Sequence, residues 1–206
     1  ENMIKVLKSI KEMKTPVLLH VHTNKSKSID MDTKDAIKYY SLPGTKNIKQ
    51  KNDKISYSEV LGESLYKLAK IYDFECVTAA MGVGTGLKKY SNAFSDRYID
   101  VGIAEEHAVT YSAGLSVAGK IPIIAIYSTF LQRAYDSIIH DIALQKLPAI
   151  FCIDRAGLVG NDGPTHHGVF DINFMRSIPN LVVTAPKDGN EMLDILNLGI
   201  SRKLIL

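Results

Sequence analysis

The chain has no tryptophan, only two cysteines and almost no excess of either charge: 25 Lys and Arg stand against 22 Asp and Glu, a formal net charge of +3. Cys76 and Cys152 each sit in a short apolar run, where a lone cysteine acts as a small core hydrophobe. A disulfide framework is therefore not expected, and a reducing compartment is. The lysines are scattered or gathered in one segment rather than interleaved with aromatics, which argues against nucleic acid as a partner. No apolar run reaches the roughly 18 residues of a membrane helix. The opening ENMIKVLKSIKEMK has neither a signal-peptide core nor a cleavage site, so no membrane partner is expected.

What remains is an ordinary globular composition, 46% hydrophobic and 23% charged over 206 residues, enough for one sizeable core. Met3, Val6, Leu7, Ile10 and Met13 recur at helical spacing as far as Pro16, and VLLHVH at 17–22 reads as a strand. One helix and one strand in residues 1–22 look like the tail of a domain whose body is missing. Residues 23–55 are rich in lysine and poor in large apolar residues, and read as a linker or insertion. From residue 56 to 206 the texture changes. Ser56 and Glu59 have capping-box spacing before a helical face of Val60, Leu61, Leu65, Leu68 and Ala69. Apolar runs follow at 74–80, 98–101, 121–128 and 148–153, with a fifth expected at 181–185. Helical patterns at 103–119, near 131–145 and from about Gly189 alternate with them. Such alternation predicts an α/β fold, a parallel sheet with helices on both faces, whose ligands sit at the carboxyl ends of the strands. The chain starts with Glu and ends in ISRKLIL, which looks like a new strand, so a piece of a longer protein is expected.

Several stretches at those strand ends could do chemistry. DVGIAEEHAVTYSAGLSVAG, Asp100 to Gly119, places Glu105 and Glu106 at the opening of an otherwise apolar helix. Adjacent helical positions point about 100° apart, so one acid enters the interior while the other stays out. First-turn acids complement the helix dipole, and a walled-in carboxylate also suits proton exchange with a ligand. Met81 to Gly86, MGVGTG, lets backbone approach a ligand and reads as a ligand-contacting turn, but its G-x-G-x-G spacing matches neither nucleotide fingerprint. In YSTFLQRAYD, Tyr127 and Phe130 read either as site or as core residues, while Arg133 near a helix start suggests a bound anion. DRAGLVGNDGPTHHG, Asp154 to Gly168, is too rich in Gly, acids, Arg and His to be mere connection. A metal on Asp162, His166 and His167 is disfavoured, since neighbouring His residues rarely converge on one ion.

Taken together, DVGIAEEHAV, AIYSTFLQRAYD, LPAIFCIDRAG and VGNDGPTHHG closely resemble the pyrimidine-binding domain of the 1-deoxy-D-xylulose-5-phosphate synthases, thiamine diphosphate enzymes related to transketolase. The resemblance runs from about Tyr57 to Leu196, and residues 1–22 look like the end of that family's pyrophosphate-binding domain. It implies a homodimeric transferase using thiamine diphosphate and Mg²⁺. Pyruvate would lose CO2 and its two-carbon remainder would join D-glyceraldehyde 3-phosphate, the first step of non-mevalonate isoprenoid synthesis. Glu105 would contact N1′ of the aminopyrimidine and favour the imino tautomer that takes the C2 proton. Phe130 would stack on the pyrimidine. Tyr127, Arg133, Arg155, Asp162 and His166 would meet substrate, with Arg155 on the phosphate and His166 placed for proton transfer.

The departures from the family are as informative. Its G-D-G-x-N site for Mg²⁺ and diphosphate is missing, as is its R-Y-P-R-G stretch. Where it carries a glycine-rich segment ending in Tyr and an active-site His, this sequence reads TNKSKSIDMDTKDAIKYYSLPG. The resemblance therefore implies an incomplete site, with metal ligands on a domain outside this chain and no turnover by the chain alone. Two rivals stand beside it, a beta-type subunit of a 2-oxo acid dehydrogenase and a non-catalytic module of the same fold. The abundance of Lys, Ile and Asn suits a plastid or apicoplast-like organelle, with bacterial cytoplasm as the other expectation.

Overall fold

The computed structural model describes residues 2–22 and 55–206, in two compact units divided between Asp53 and Lys54. In the first unit the apolar spacing forms the expected helix, Asn2–Lys11, none of whose residues is buried. The expected strand at 17–22 does not form, and Leu18 stands exposed. An apolar run becomes a strand only when a neighbour takes its N–H and C=O groups, and no such neighbour exists among the described residues. The lysine-rich stretch read as a linker lies almost wholly outside the described residues.

The second unit opens on the expected capping box. Ser56 accepts from the Glu59 N–H while the Glu59 side chain takes the Ser56 N–H, and the helix Tyr57–Leu68 follows. Four strands come next: β1 (Glu75–Thr78), β2 (Tyr98–Asp100), β3 (Pro122–Tyr127) and β4 (Ile150–Asp154). They form one sheet in the order β2-β1-β3-β4, with every pairing parallel. Helices cover both faces because the strands are apolar on both, as parallel strands must be. Val77, Ile124, Ile126 and Phe151 pack with Ala108, Val109 and Ala113 of the helix Glu105–Val117. Their neighbours Cys76, Ile123, Ala125 and Ile150 face the opposite way, against Leu61, Leu65, Tyr90, Leu196 and Ile200. Leu196 and Ile200 belong to the last helix, Gly189–Arg202, started by Asp188 capping Asn190 and Glu191.

Two further expectations change. Leu181 to Ala185 is not a strand. The edge of β4 is taken by the end of the chain, where Ile205 bridges Ala149 in parallel and Leu206 N–H donates to Ala149 O at 2.9 Å. Residue 182 lies beyond it, its N–H on Ile205 O at 3.0 Å. The helix expected near 131–145 starts earlier, directly after β3, and is broken into Ser128–Leu131, a 3₁₀ turn Gln132–Ala134, Tyr135–Ser137 and a π turn Ile138–Ala143. Breaks of this kind re-aim side chains and cluster at functional sites. The helix Glu105–Val117 is buried on one side only. Glu106, His107, Thr110, Tyr111, Gly114 and Val117 face outward. No described helix is long and apolar enough to cross a membrane.

Candidate functional site

The candidate residues gather at the carboxyl ends of β2, β3 and β4, where a parallel sheet offers unpaired backbone and loops. At the end of β2, Asp100 pins the turn into the next helix. Its Oδ1 accepts from Ala80 N–H at 2.8 Å and from Gly102 N–H at 3.0 Å, and Gly102 takes the left-handed φ of 75° that the turn demands. The helix then starts at Glu105, which points inward and is 2% exposed, while Glu106 is exposed. Arg133 Nη1 donates to Glu105 Oε1 at 2.6 Å. No hydrogen bond reaches Oε2 among the described residues. Glu105 is thus a desolvated carboxylate with one oxygen held by a cation and acceptor capacity to spare.

The pair is joined to an aromatic group built on the end of β3. The Arg133 guanidinium lies over the Phe130 ring at 5.3 Å, and Phe130 stacks with Tyr127 at 5.9 Å. His166 meets the Phe130 ring edge-on at 5.3 Å. The Arg155 guanidinium lies over the Tyr127 ring at 4.2 Å, within the range of a cation–π contact. Burial pushes the Tyr127 hydroxyl above its ordinary value, with Arg155 pulling the other way. It remains a protonated donor at neutral pH.

Arg155 follows β4 directly and occupies a left-handed backbone, φ 56°. Its Nη1 donates to Gly84 O at 2.6 Å and to Asp154 Oδ1 at 3.0 Å, and its Nε to Asp162 Oδ2 at 3.1 Å. Beside it opens a cavity of about 560 Å³ lined by Ser58, Val83, Gly84, Asp154, Arg155 and Asp162 among others. The loop carrying Asp162 and His166 is closed at its base by two hydrogen bonds between Gly157 and Gly168, at 2.7 and 2.9 Å. His166 and His167 do not converge with Asp162 on a common point. His166 Nδ1 meets Thr165 Oγ1 at 2.9 Å and His167 Nδ1 accepts from Val159 N–H at 3.0 Å. Among the described residues no group of three His, Cys, Asp or Glu side chains could hold a metal ion.

All seven candidate residues therefore fall into one continuous chain of contacts, from Glu105 through Arg133, Phe130, Tyr127 and Arg155 to Asp162, with His166 at the aromatic centre. Packing requires the glycines of the turn Met81–Gly86, two of which, Gly84 and Gly86, also line the cavity beside Arg155. A Cβ on Gly84 would sit 1.7 Å from the Tyr127 hydroxyl, and one on Gly82 would sit 2.1 Å from that of Tyr98. Gly86, at φ 80°, leaves no room against Ser58 O. Sequence reasoning missed Asp154 and Ser58, whose hydrogen bond at 2.6 Å holds the Arg155 region to the helix Tyr57–Leu68. Asp154 carried a signal, adjacent to Arg155 in an unusual loop, whereas Ser58 reads only as a first-turn residue.

The chain matches the family model of the transketolase pyrimidine binding domain over residues 53–205. It is 48% identical over 199 residues to the 1-deoxy-D-xylulose-5-phosphate synthase of Aquifex aeolicus, covering 94% of this chain and 32% of that protein. With the enzyme of the same name from Caldanaerobacter subterraneus the identity is 48% over 205 residues, covering 97% and 33%. The chain thus spans a third of the length of these curated relatives. Among solved structures it is similar to a split-gene transketolase described as an inactive beta4 tetramer. That match has TM-score 0.62, 28% identity and coverage of 69% of this chain and 47% of that one. The transketolase of Campylobacter jejuni shares the fold at TM-score 0.67 and 23% identity, covering 87% of this chain and 30% of that one.

Proposed function

We propose, since this chain belongs to the transketolase pyrimidine-binding domain family, that it forms the aminopyrimidine-binding third of a 1-deoxy-D-xylulose-5-phosphate synthase. The observation that carries this reading is Glu105, a carboxylate 2% exposed that opens a helix at the end of β2 with Oε2 free of partners among the described residues. The residues fit the cofactor of that family. A buried acceptor with spare capacity suits a ring nitrogen that must share a proton, and Phe130 offers an aromatic face beside it.

When bound, thiamine diphosphate would supply the carbon centre at which pyruvate loses CO2 and the two-carbon remainder passes to D-glyceraldehyde 3-phosphate. In this reading Glu105 holds and returns a proton at the pyrimidine N1′. Arg133 keeps that carboxylate fixed, and its outer side, with the side chain 50% exposed, faces the acceptor. Phe130 and Tyr127 wall the site against water. His166 exchanges a proton with substrate oxygens, Asp162 accepts from a substrate hydroxyl, and Arg155 takes the acceptor's phosphate through its remaining guanidinium edge. Mg²⁺ would be held by residues outside this chain. The outward face of the helix Glu105–Val117, with Val117 70% exposed and Tyr111 40% exposed, supports assembly into a homodimer.

The split-gene likeness favours one second reading, a separately encoded transketolase-like subunit. Substrates separate the two. Full-length protein incubated with thiamine diphosphate, Mg²⁺, pyruvate and D-glyceraldehyde 3-phosphate is expected to release CO2 and form 1-deoxy-D-xylulose 5-phosphate. Two-carbon transfer from a ketose phosphate without CO2 release would favour the second reading.

A further inference from the structure

We propose that Asp154 is a positioning residue that aims Arg155 at the phosphate of the acceptor, and that Ser58 locks it in place. The inference rests on the phosphate role proposed for Arg155 and adds how that role is built. Arg155 stands at φ 56°, a left-handed conformation that residues with a Cβ rarely adopt unless something holds them. Asp154 is what holds it. Its Oδ1 accepts from the backbone N–H of Arg155 at 2.7 Å and from Nη1 of the same residue at 3.0 Å. One oxygen thus clamps both ends of a single arginine.

The other oxygen, Oδ2, accepts from Ser58 Oγ at 2.6 Å, so the clamp is anchored to the first turn of the helix Tyr57–Leu68. Asp154 and Arg155 are only 14% and 21% exposed. Gly84 O takes a further Nη1 bond at 2.6 Å. The inner corner of the guanidinium is saturated by these contacts. Its outer edge, Nε and Nη2, is the one left to meet a ligand, and among the described residues the single hydrogen-bonding group on it is Asp162, through Nε at 3.1 Å with the Asp162 side chain 40% exposed. An oxyanion in the neighbouring cavity could replace that exposed carboxylate and gain the two parallel bonds a guanidinium edge provides.

Charge and geometry make opposite predictions here, which gives the proposal its test. If Asp154 acted only through its charge, it would weaken binding of an anion beside Arg155, and removing it would tighten binding. If it acts by aiming Arg155, losing the acceptor oxygen weakens binding, while asparagine, which keeps one acceptor oxygen in place, largely restores it. Steady-state kinetics of the full-length enzyme are compared for wild type, Asp154→Ala, Asp154→Asn and Ser58→Ala. Pyruvate is paired with either D-glyceraldehyde 3-phosphate or unphosphorylated D-glyceraldehyde.

The expected result is a KM for the phosphorylated acceptor raised about tenfold or more in Asp154→Ala, less than about threefold in Asp154→Asn, and by an intermediate factor in Ser58→Ala. The KM for pyruvate and the KM for the unphosphorylated acceptor stay within about twofold in all three. A KM for the phosphorylated acceptor that falls in both Asp154 variants overturns the proposal in favour of charge alone. Equal changes for both acceptors, or a loss of thermal stability that alone accounts for the change, overturn it as well. An active wild type with any of those outcomes leaves the synthase reading standing, whereas a wild type without synthase activity removes both.

Discussion

A carboxylate that is 2% exposed, as Glu105 is, keeps its charge at little cost only if a cation stands beside it, and Arg133 stands at 2.6 Å. Removing one member of such a pair leaves the other uncompensated. Because Arg133 is half exposed, solvent softens the loss, and Arg133→Met is expected to cost about 1–3 kcal/mol of unfolding free energy. The double variant Glu105→Gln with Arg133→Met should recover most of it, since no buried charge then remains. Denaturant unfolding of the four proteins measures the coupling, and additive losses would show that the two side chains do not support each other. Glu105 itself was legible in the sequence, because it and Glu106 are the only formal charges in an apolar helix. Arg133 was legible as a cation awaiting an anion, but its pairing with Glu105 was not, since the two lie 28 positions apart and meet only through the fold.

At the scale of the element, the glycines divide into those the fold needs and those it tolerates. At Gly86 a Cβ would lie 1.9 Å from the backbone oxygen of Ser58, at φ 80°. Gly86→Ala is expected to destabilise by roughly 3 kcal/mol or more, through overpacking and backbone strain together. Gly114 sits inside the helix Glu105–Val117 with nothing within 4 Å of an added Cβ, so Gly114→Ala should leave the chain unchanged or up to about 1 kcal/mol more stable. Thermal melts of both variants test the contrast. The same helix is tied to the π turn through Thr110, which donates to Asp141 at 2.6 Å, while His140 meets the other Asp141 oxygen at 3.0 Å.

The Thr110 and His140 hydrogen bonds lower the Asp141 carboxyl below its usual 3.8, and Asp141 raises His140 above 6.5. The Asp141 contribution to stability is present above its unfolded value and disappears as pH falls through the lowered one. The His140 contribution is present below 6.5 and is lost as pH rises through the raised value. The melting-point difference between wild type and His140→Gln should therefore be greatest near about pH 5 and vanish by about pH 9. A difference independent of pH would remove the ion pair from the account. Strand runs were legible because they are apolar on both faces, a signal that burial alone produces. The edge of the sheet was not legible, because Leu181 to Ala185 and Leu204 to Leu206 are both apolar and composition does not rank them for one position beside β4.

For the whole molecule, the chain spans a third of the length of its curated relatives. In the reading proposed above, Glu105 offers an oxygen to the aminopyrimidine, the Phe130 and Tyr127 rings form a wall, and contacts for Mg²⁺ and diphosphate come from outside this chain. On that reading the chain of 206 residues alone is expected to show no synthase turnover. Measurable turnover by the chain alone would mean that its own residues complete the site.

The central claim is that Glu105 exchanges a proton with the aminopyrimidine, and exchange of the C2 proton of thiamine diphosphate for deuterium tests it most directly. Full-length wild type with Mg²⁺ should exchange that proton far faster than free thiamine diphosphate. Glu105→Ala should fall to the free rate while its circular dichroism and melting profile stay those of a folded protein. A folded Glu105→Ala enzyme that exchanges as fast as wild type would contradict the account.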